Sequence, residues 1–359
     1  MNAERKQCRR RIAGLGLVTG LLCAVAGFVR CVPPDPVDPC IDDEAMCRPD
    51  LGLDASRPDS RSDGSADAAA TPDGAAVGDG GMGCPRFGPG TVAGRTPASS
   101  ITEASGIVGG RRNPGTLWLH NDSGAGPRIY ALSTSGTLQA SYDLAGAGAQ
   151  DWEDIAMGPG PIADRSYLYI GDIGDNALER PQVHIYRVEE PDVSAGSPSM
   201  PSMLTGVERF TLVYPDRAHN AETLLVDPLS GDVYIVVKSN DGVSPVFRAA
   251  APLSTAAPIT LSSVAVLRFG TAPLVGGRTT TAGDISSRGD EIAIRTYDAA
   301  YLWHRPPGMT VADALAGTPC ALPLRLELQG EALGFSSDGS AYFTVSEGNN
   351  QPIYTFPRL

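Results

Sequence analysis

Short apolar runs separated by turn residues recur along the chain from Cys84 to Leu359, and their period is that of strands. The clearest stretch is Asp151 to Val188, DWEDIAMGPGPIADRSYLYIGDIGDNALERPQVHIYRV. An acidic pair, Glu153 and Asp154, opens a short apolar run, and a Gly/Pro turn follows. Next come an alternating strand (Tyr167 to Ile170), an acidic glycine loop (Gly171 to Asn176) and a third strand (His184 to Val188). Three short strands joined by turns form a meander that is too small to be stable alone.

The plan repeats. EASGIVGG, TLWLHNDSG and RIYALS form a first unit, and the stretch just described is the second. NAETLLVDPLSG, DVYIVVKSN and PVFRAA form a third, and TAGDISSRGD, EIAIRTYD and AYLWHR a fourth. The last is QGEALGFSSDG, AYFTVSEGNN and PIYTF. Unit starts lie roughly 45 to 70 residues apart, which suits propeller blades with insertions. The longer gaps hold a fourth strand, such as Arg209 to Tyr214, Ser263 to Phe269 and Leu322 to Leu328. The last unit lacks one, and the segment Cys84 to Thr102 can supply it and close the ring. The predicted fold is all-β, a single β-propeller of about five four-stranded blades, or six if an insertion hides one. A β-sandwich is the alternative, but it does not require one polar position to recur at the head of every unit.

In a propeller the innermost strands line a central channel. Aligned on their polar heads, those strands begin at Gly106, Asp154, Glu222, Asp284 and Glu331. The second strands end at Asn121 and Asp122, Asp172, Lys238, Arg295 and Glu347. This alignment expects Asp154, Glu222, Asp284 and Glu331 to ring one mouth and hold a divalent cation, with Ca²⁺ suited by its loose oxygen coordination. Asn121, Asp172, Lys238, Arg295 and Glu347 would then bind a ligand. The competing expectation is structural: such acids can accept backbone N–H bonds from the neighbouring blade. In the GDIGDN loop, Asp175 and Asn176 with Asp172 are further metal candidates. His219, three residues before Glu222, is the candidate general base. No zinc spacing and no GxSxG motif are present.

Composition sets the surroundings. The 359 residues carry 41 acidic and 28 basic side chains, a formal charge of −13. That balance disfavours nucleic acid as a partner. Residues 1–31 read as a targeting segment, with Arg5, Lys6 and Arg9 to Arg11 before an apolar run and a small-x-small site at Ala24 to Ala26. Cleavage, lipidation at Cys31 and a retained anchor all remain open, and each implies export to the cell envelope or beyond. Residues 32–83 lack any hydrophobic period and read as an acidic Pro/Gly/Ala/Asp-rich linker. Residues 84–359 form the propeller, expected as a monomer. Cys40 with Cys47, and Cys84 with Cys320, are the expected disulfides, in keeping with an oxidising compartment.

WEDIA, YLYIGDIGDN, the placing of Arg180 and IYRVEEP resemble a group of uncharacterised secreted bacterial propeller-like lipoproteins, over Ile101 to Phe356. More distantly, the unit plan is similar to SMP-30/gluconolactonase-like and phytase-like propellers. That resemblance implies a divalent cation held by channel acids, with Asp154, Glu222, Asp284 and Glu331 as the metal-facing set. Two functions follow. One is an exported, surface-tethered propeller that binds a small molecule or protein at its acidic mouth. The other is a Ca²⁺-dependent hydrolase of lactones, esters or phosphoesters, with metal as Lewis acid.

Overall fold

The computed structural model describes residues 83–122, 124–270 and 277–359. The expected targeting segment, Cys31, the Cys40–Cys47 pair and nearly all of the linker lie outside them. No helix among the described residues is long and apolar enough to cross a membrane.

The chain forms five sheets, each a blade. It enters through β1 (Thr91–Arg95) and then builds the first blade from β2 (Ala104–Gly109), β3 (Thr116–Asn121), β4 (Arg128–Ser133) and β5 (Leu138–Leu144). The second blade begins with β6 (Trp152–Gly158), β7 (Tyr167–Asp172) and β8 (Val183–Glu189). After β9 (Ser202–Leu204) it is completed by β10 (Glu208–Val213). The third uses β11 (Ala221–Val226), β12 (Val233–Val237) and β13 (Val243–Ala249), then, past β14 (Ile259–Thr260), β15 (Ser262–Arg268). The fourth contains β16 (Thr280–Ile285), β17 (Glu291–Thr296), β18 (Ala300–His304), the short helix α1 (Val311–Leu315) and β19 (Cys320–Leu322). The fifth contains β20 (Gly330–Phe335), β21 (Ala341–Ser346) and β22 (Pro352–Pro357), and β1 returns as its outer strand.

Closure by the N-terminal strand therefore matches the sequence expectation, and the fold is a β-propeller of five blades. The fourth strands expected at Arg209 and Ser263 are β10 and β15. The one expected over Leu322 to Leu328 is β19, which is displaced to Cys320–Leu322.

The irregular spacing of the units has a structural cause. In three blades the link between the third and fourth strands reaches back to the preceding blade. β9 adds in parallel to the outer edge β5, and β14 adds in parallel to β10. α1 packs Val311, Ala314 and Leu315 with Leu267 and Phe269, at and just beyond the end of β15. An open edge strand invites pairing with other chains, and these insertions cover such edges while tying blade to blade.

The core is divided between the blades. Each of five apolar clusters lies between two neighbouring sheets. On β6, Ile155 and Met157 pack toward the first blade and Ala156 toward the third. A strand buried on both faces reads as a continuous apolar run, as the inner strands do. Where the fifth blade meets the first, the backbones approach so closely that a Cβ on Gly334 would lie 2.1 Å from the Ile107 carbonyl oxygen. The glycine is what permits that seam.

The Cys84–Cys320 disulfide, with a Cα–Cα distance of 5.6 Å, fastens the segment before β1 to β19 of the fourth blade. It joins residues 236 apart in sequence, so it constrains the unfolded chain heavily. Replacing either cysteine with serine is expected to cost about 2–4 kcal/mol. Chemical denaturation of the protein with and without reductant checks this, and a reduced protein as stable as the oxidised one would contradict it.

Candidate functional site

The mouth of the ring lies where the inner strands begin and the second strands end. Each inner strand has a register irregularity near its start, which marks a bulged residue: Ser105, Glu153, Glu222, Thr281 and Glu331. Opposite them, one residue past the last paired position of each second strand, stand Asp122, Ile173, Lys238, Tyr297 and Glu347. Bulges re-aim side chains at barrel rims and next to sites, and here they turn three glutamates into the mouth.

The geometry revises the alignment made on acids alone. Glu222 and Glu331 share the bulge position, but Asp154 lies one residue further along its strand and Asp284 three. Both sit inside the channel and are fully or nearly fully buried. The carboxylate of Asp154 accepts from its neighbour Ile155 N at 2.9 Å, from Leu224 N of the third blade at 3.0 Å and from Gly283 N of the fourth at 3.3 Å. Asp284 accepts from Ile285 N at 2.8 Å and from Phe335 N of the fifth blade at 2.9 Å. These two carboxylates link blades, and the expected four-acid ring does not form around them. In the fourth blade the intended place holds Thr281, and in the second it holds Glu153. Aligning the units on the apolar residue two places after the bulge (Ile107, Ile155, Leu224 and Leu333) would have found it.

Several expected ligand-binding residues are engaged elsewhere. Asn121 accepts from Thr102 N and Glu103 N and donates to Ser100 O. Arg295 is fully buried, bonded to Glu327 at 2.8 Å and to the Ala332 carbonyl. His219 pairs through Nε2 with Asp216 at 3.0 Å and packs against Tyr214 and Phe247. Glu347 stays at the rim, where it accepts from Gln329.

The GDIGDN loop forms a wall of the site. Asp172 pairs with Arg180 at 2.9 Å and accepts from Asp151 N at 3.1 Å. Asp175 accepts from Glu179 N and Arg180 N, and Arg180 donates to the Gly174 carbonyl. Asn176 accepts from Asn220, whose own oxygen takes Asp175 N. The loop therefore wraps Arg180 and sets Gly174 against two acids. A Cβ on Gly174 would lie 2.1 Å from Glu153 Oε1 and 2.4 Å from Asp151 Oδ2.

Asp122, Asp151 and Glu153 consequently offer carboxylate oxygens that all lie within 4.8 Å of one another. Beside them Lys238 donates to Glu222 Oε1 and, at 2.9 Å, to the Tyr297 hydroxyl, which in turn donates to Glu331. Among the described residues, none hydrogen-bonds the buried Glu222 Oε2. Burial raises the pKa of Glu153 well above the usual carboxylate range, and Glu222, Asp122 and Asp151 add to it. Glu222 is raised likewise, by burial and then by Glu331, against the pull of Lys238. Burial opposes the charge on Lys238, but Glu222 and Glu331 outweigh it and raise its pKa. Glu347 is pushed up to about 7 by burial, then by Glu331, Asp122 and Glu103.

These shifts fix a pH dependence. Asp284, too, is pushed up from 3.8 to about 7, chiefly by burial. A carboxyl raised in the folded state contributes stability that is full below its unfolded pKa near 4 and is lost as pH rises through the folded value. The Asp284 contribution in chelator is therefore lost between about pH 4 and pH 7, while buried His120, lowered from 6.5 to about 4, contributes in the opposite sense. Asp284→Asn is thus expected to lose less stability than the wild type as pH rises across this range. Calorimetry of both proteins tests it, and parallel profiles would contradict it. Asp154→Ala strands buried N–H groups on two neighbouring blades, so it is expected to cost about 3 kcal/mol or more in denaturant titrations without metal. A residue serving only as a metal ligand would leave that stability intact.

No family model matches the chain, and no curated protein matches it. Among solved structures it is similar to one described as the crystal structure of RRP9 WD40 repeats, at 12% identity and a TM-score of 0.38. That similarity covers 76% of this chain and 100% of the other. The resemblance to secreted bacterial and gluconolactonase-like propellers rests on its motifs alone, whereas the all-β propeller architecture is carried by the five sheets themselves.

Proposed function

We propose that the acidic mouth is a divalent-cation site through which this propeller binds its ligand. The convergence of Asp122, Asp151 and Glu153 carries this reading. Carboxylates gathered this closely repel, and desolvation adds to the cost of keeping them charged. Lys238 compensates Glu222 and Glu331 beside the trio, and to a lesser degree Glu153 and Asp151. A cation bound at the trio would offset the remaining repulsion. Ca²⁺ accepts six to eight oxygens at about 2.3–2.6 Å in flexible geometry, and a rim of carboxylates suits it better than the strict octahedron of Mg²⁺. Glu222, whose charge acts on Glu153, adds to the repulsion a cation would relieve.

In this reading Asp122, Asp151 and Glu153 hold the ion, Gly174 keeps the space for their carboxylates, and Lys238 with Tyr297 orients Glu222 and Glu331. A bound ion supplies an electrophilic centre for an oxygen-bearing ligand. The chain's own residues bind and orient that ligand at the rim, where Glu347 lies. The basic and apolar N-terminal residues, the acidic linker and the Cys84–Cys320 disulfide together support placing the domain outside the cytoplasm.

Titration of the metal-stripped protein with CaCl₂, followed by melting temperature and calorimetry, tests the site. A saturable rise is expected at pH 8, weakened at least about tenfold by Glu153→Gln or by Asp122→Asn with Asp151→Asn. Asp284→Asn is expected to keep the calcium response. Equal calcium responses in the wild type and Glu153→Gln would overturn the proposal.

A further inference from the structure

At the opposite end of the inner strands arginines join the acids. A cavity of about 430 Å³ opens there, lined by Arg111, Arg112 and Arg165, by Asp164, Glu189 and Glu190, and by Gly158, Pro159 and Ser166. Three arginines converging is unusual in a chain of formal charge −13. Arg111 follows directly on the end of β2 and Gly110, and its guanidinium reaches across to the end of β6. There Nη2 donates to the Met157 carbonyl at 3.1 Å. A guanidinium has five N–H donors in a planar fork. Among the described residues, this is the one hydrogen bond that the Arg111 side chain makes.

The acids in this region are engaged. Glu190 is fully buried, and six donors surround it: the backbone N–H groups of Arg111, Arg112 and Asn113, the side chains of Asn113 and Trp118, and the Ser166 hydroxyl. It anchors the segment carrying Arg111 to the end of β8, and with Asp284 it supplies opposite charge near the Arg111 guanidinium, which bonds neither carboxylate directly. Glu189 is held by Arg165 through both oxygens at 2.8 Å and by Arg112 at 3.4 Å. Arg112 also lies 3.8 Å from Asp192. Asp164 is exposed at the cavity edge, and Asp284 faces Arg111 from within the channel while accepting two backbone N–H bonds.

We propose that this cavity is a second binding site, one for a small molecule bearing an oxyanion, with a carboxylate or phosphate seated on the Arg111 fork and flanked by Arg112 and Arg165. A planar guanidinium matches two oxygens of either group at once, which gives direction as well as attraction. The cavity is larger than the oxyanion alone and leaves room for an organic body against Gly158 and Pro159. The site lies at the other end of the inner strands from the acidic mouth and has arginines in its lining, so it stands or falls independently of the cation there.

Isothermal titration of the full-length protein at low ionic strength, with sodium phosphate and separately with sodium acetate, tests the assignment. One saturable site is expected for at least one of the two, and the anion that binds more tightly identifies the head group. Arg111→Gln is expected to weaken binding about tenfold or more, and Arg112→Gln with Arg165→Gln about threefold, by the loss of charge-assisted bonds. Glu153→Gln at the mouth leaves the anion affinity unchanged. Should Arg111→Gln fail to fold, the double variant of two exposed arginines decides. No saturable binding of either anion, or unchanged affinity in the folded variants, overturns the proposal.

Discussion

The ring depends on hydrogen bonds that cross between blades at the channel, and the Asp154 carboxylate is the centre of them. One side chain of the second blade accepts from backbone amides of the third and the fourth. Asp284 extends the same device to the fifth blade, and the Thr281 hydroxyl adds a bond to the Gly330 carbonyl. Ser105 joins the first blade to the second through the Glu153 carbonyl. Apolar packing between blades is non-directional and would tolerate sliding. Hydrogen bonds from fixed amides to these carboxyl groups are directional and set the register at which five sheets close.

That register produces the site. Bulges at the start of the inner strands place Glu153, Glu222 and Glu331 in one opening, and the ends of the second strands add Asp122, Lys238, Tyr297 and Glu347. Inside the channel, Asp154 and Asp284 accept hydrogen bonds from backbone amides. At the mouth, Lys238 and Tyr297 stand among several acids. Repulsion left over by the fold is what a cation would relieve.

The two ends of the ring differ in chemistry. Acids with a single lysine collect where the inner strands begin, and arginines paired with acids line the cavity where they end, with Glu190 fastening the arginine-bearing segment. Between the two faces, the channel is occupied by side chains that stitch the blades. The insertions β9, β14 and α1 serve the periphery in the same spirit, since each leans back on the previous blade and covers its edge.

The sequence by itself determined the repeat, the strand content and the closing strand. Short apolar runs between turns carry a local signal, and inner strands buried on both faces read as unbroken apolar segments. It also carried the acids of the mouth by residue type, and the pairing of Cys84 with Cys320. Only the tertiary structure decided which acids are neighbours. The bulge at Glu153 aims that residue into the mouth. Asp154, the next paired residue, accepts from amides of other blades, so two acids adjacent in the chain divide into a blade link and a mouth carboxylate. The Arg111 face was equally hidden, because its parts come from the ends of different blades and meet only when the circle closes.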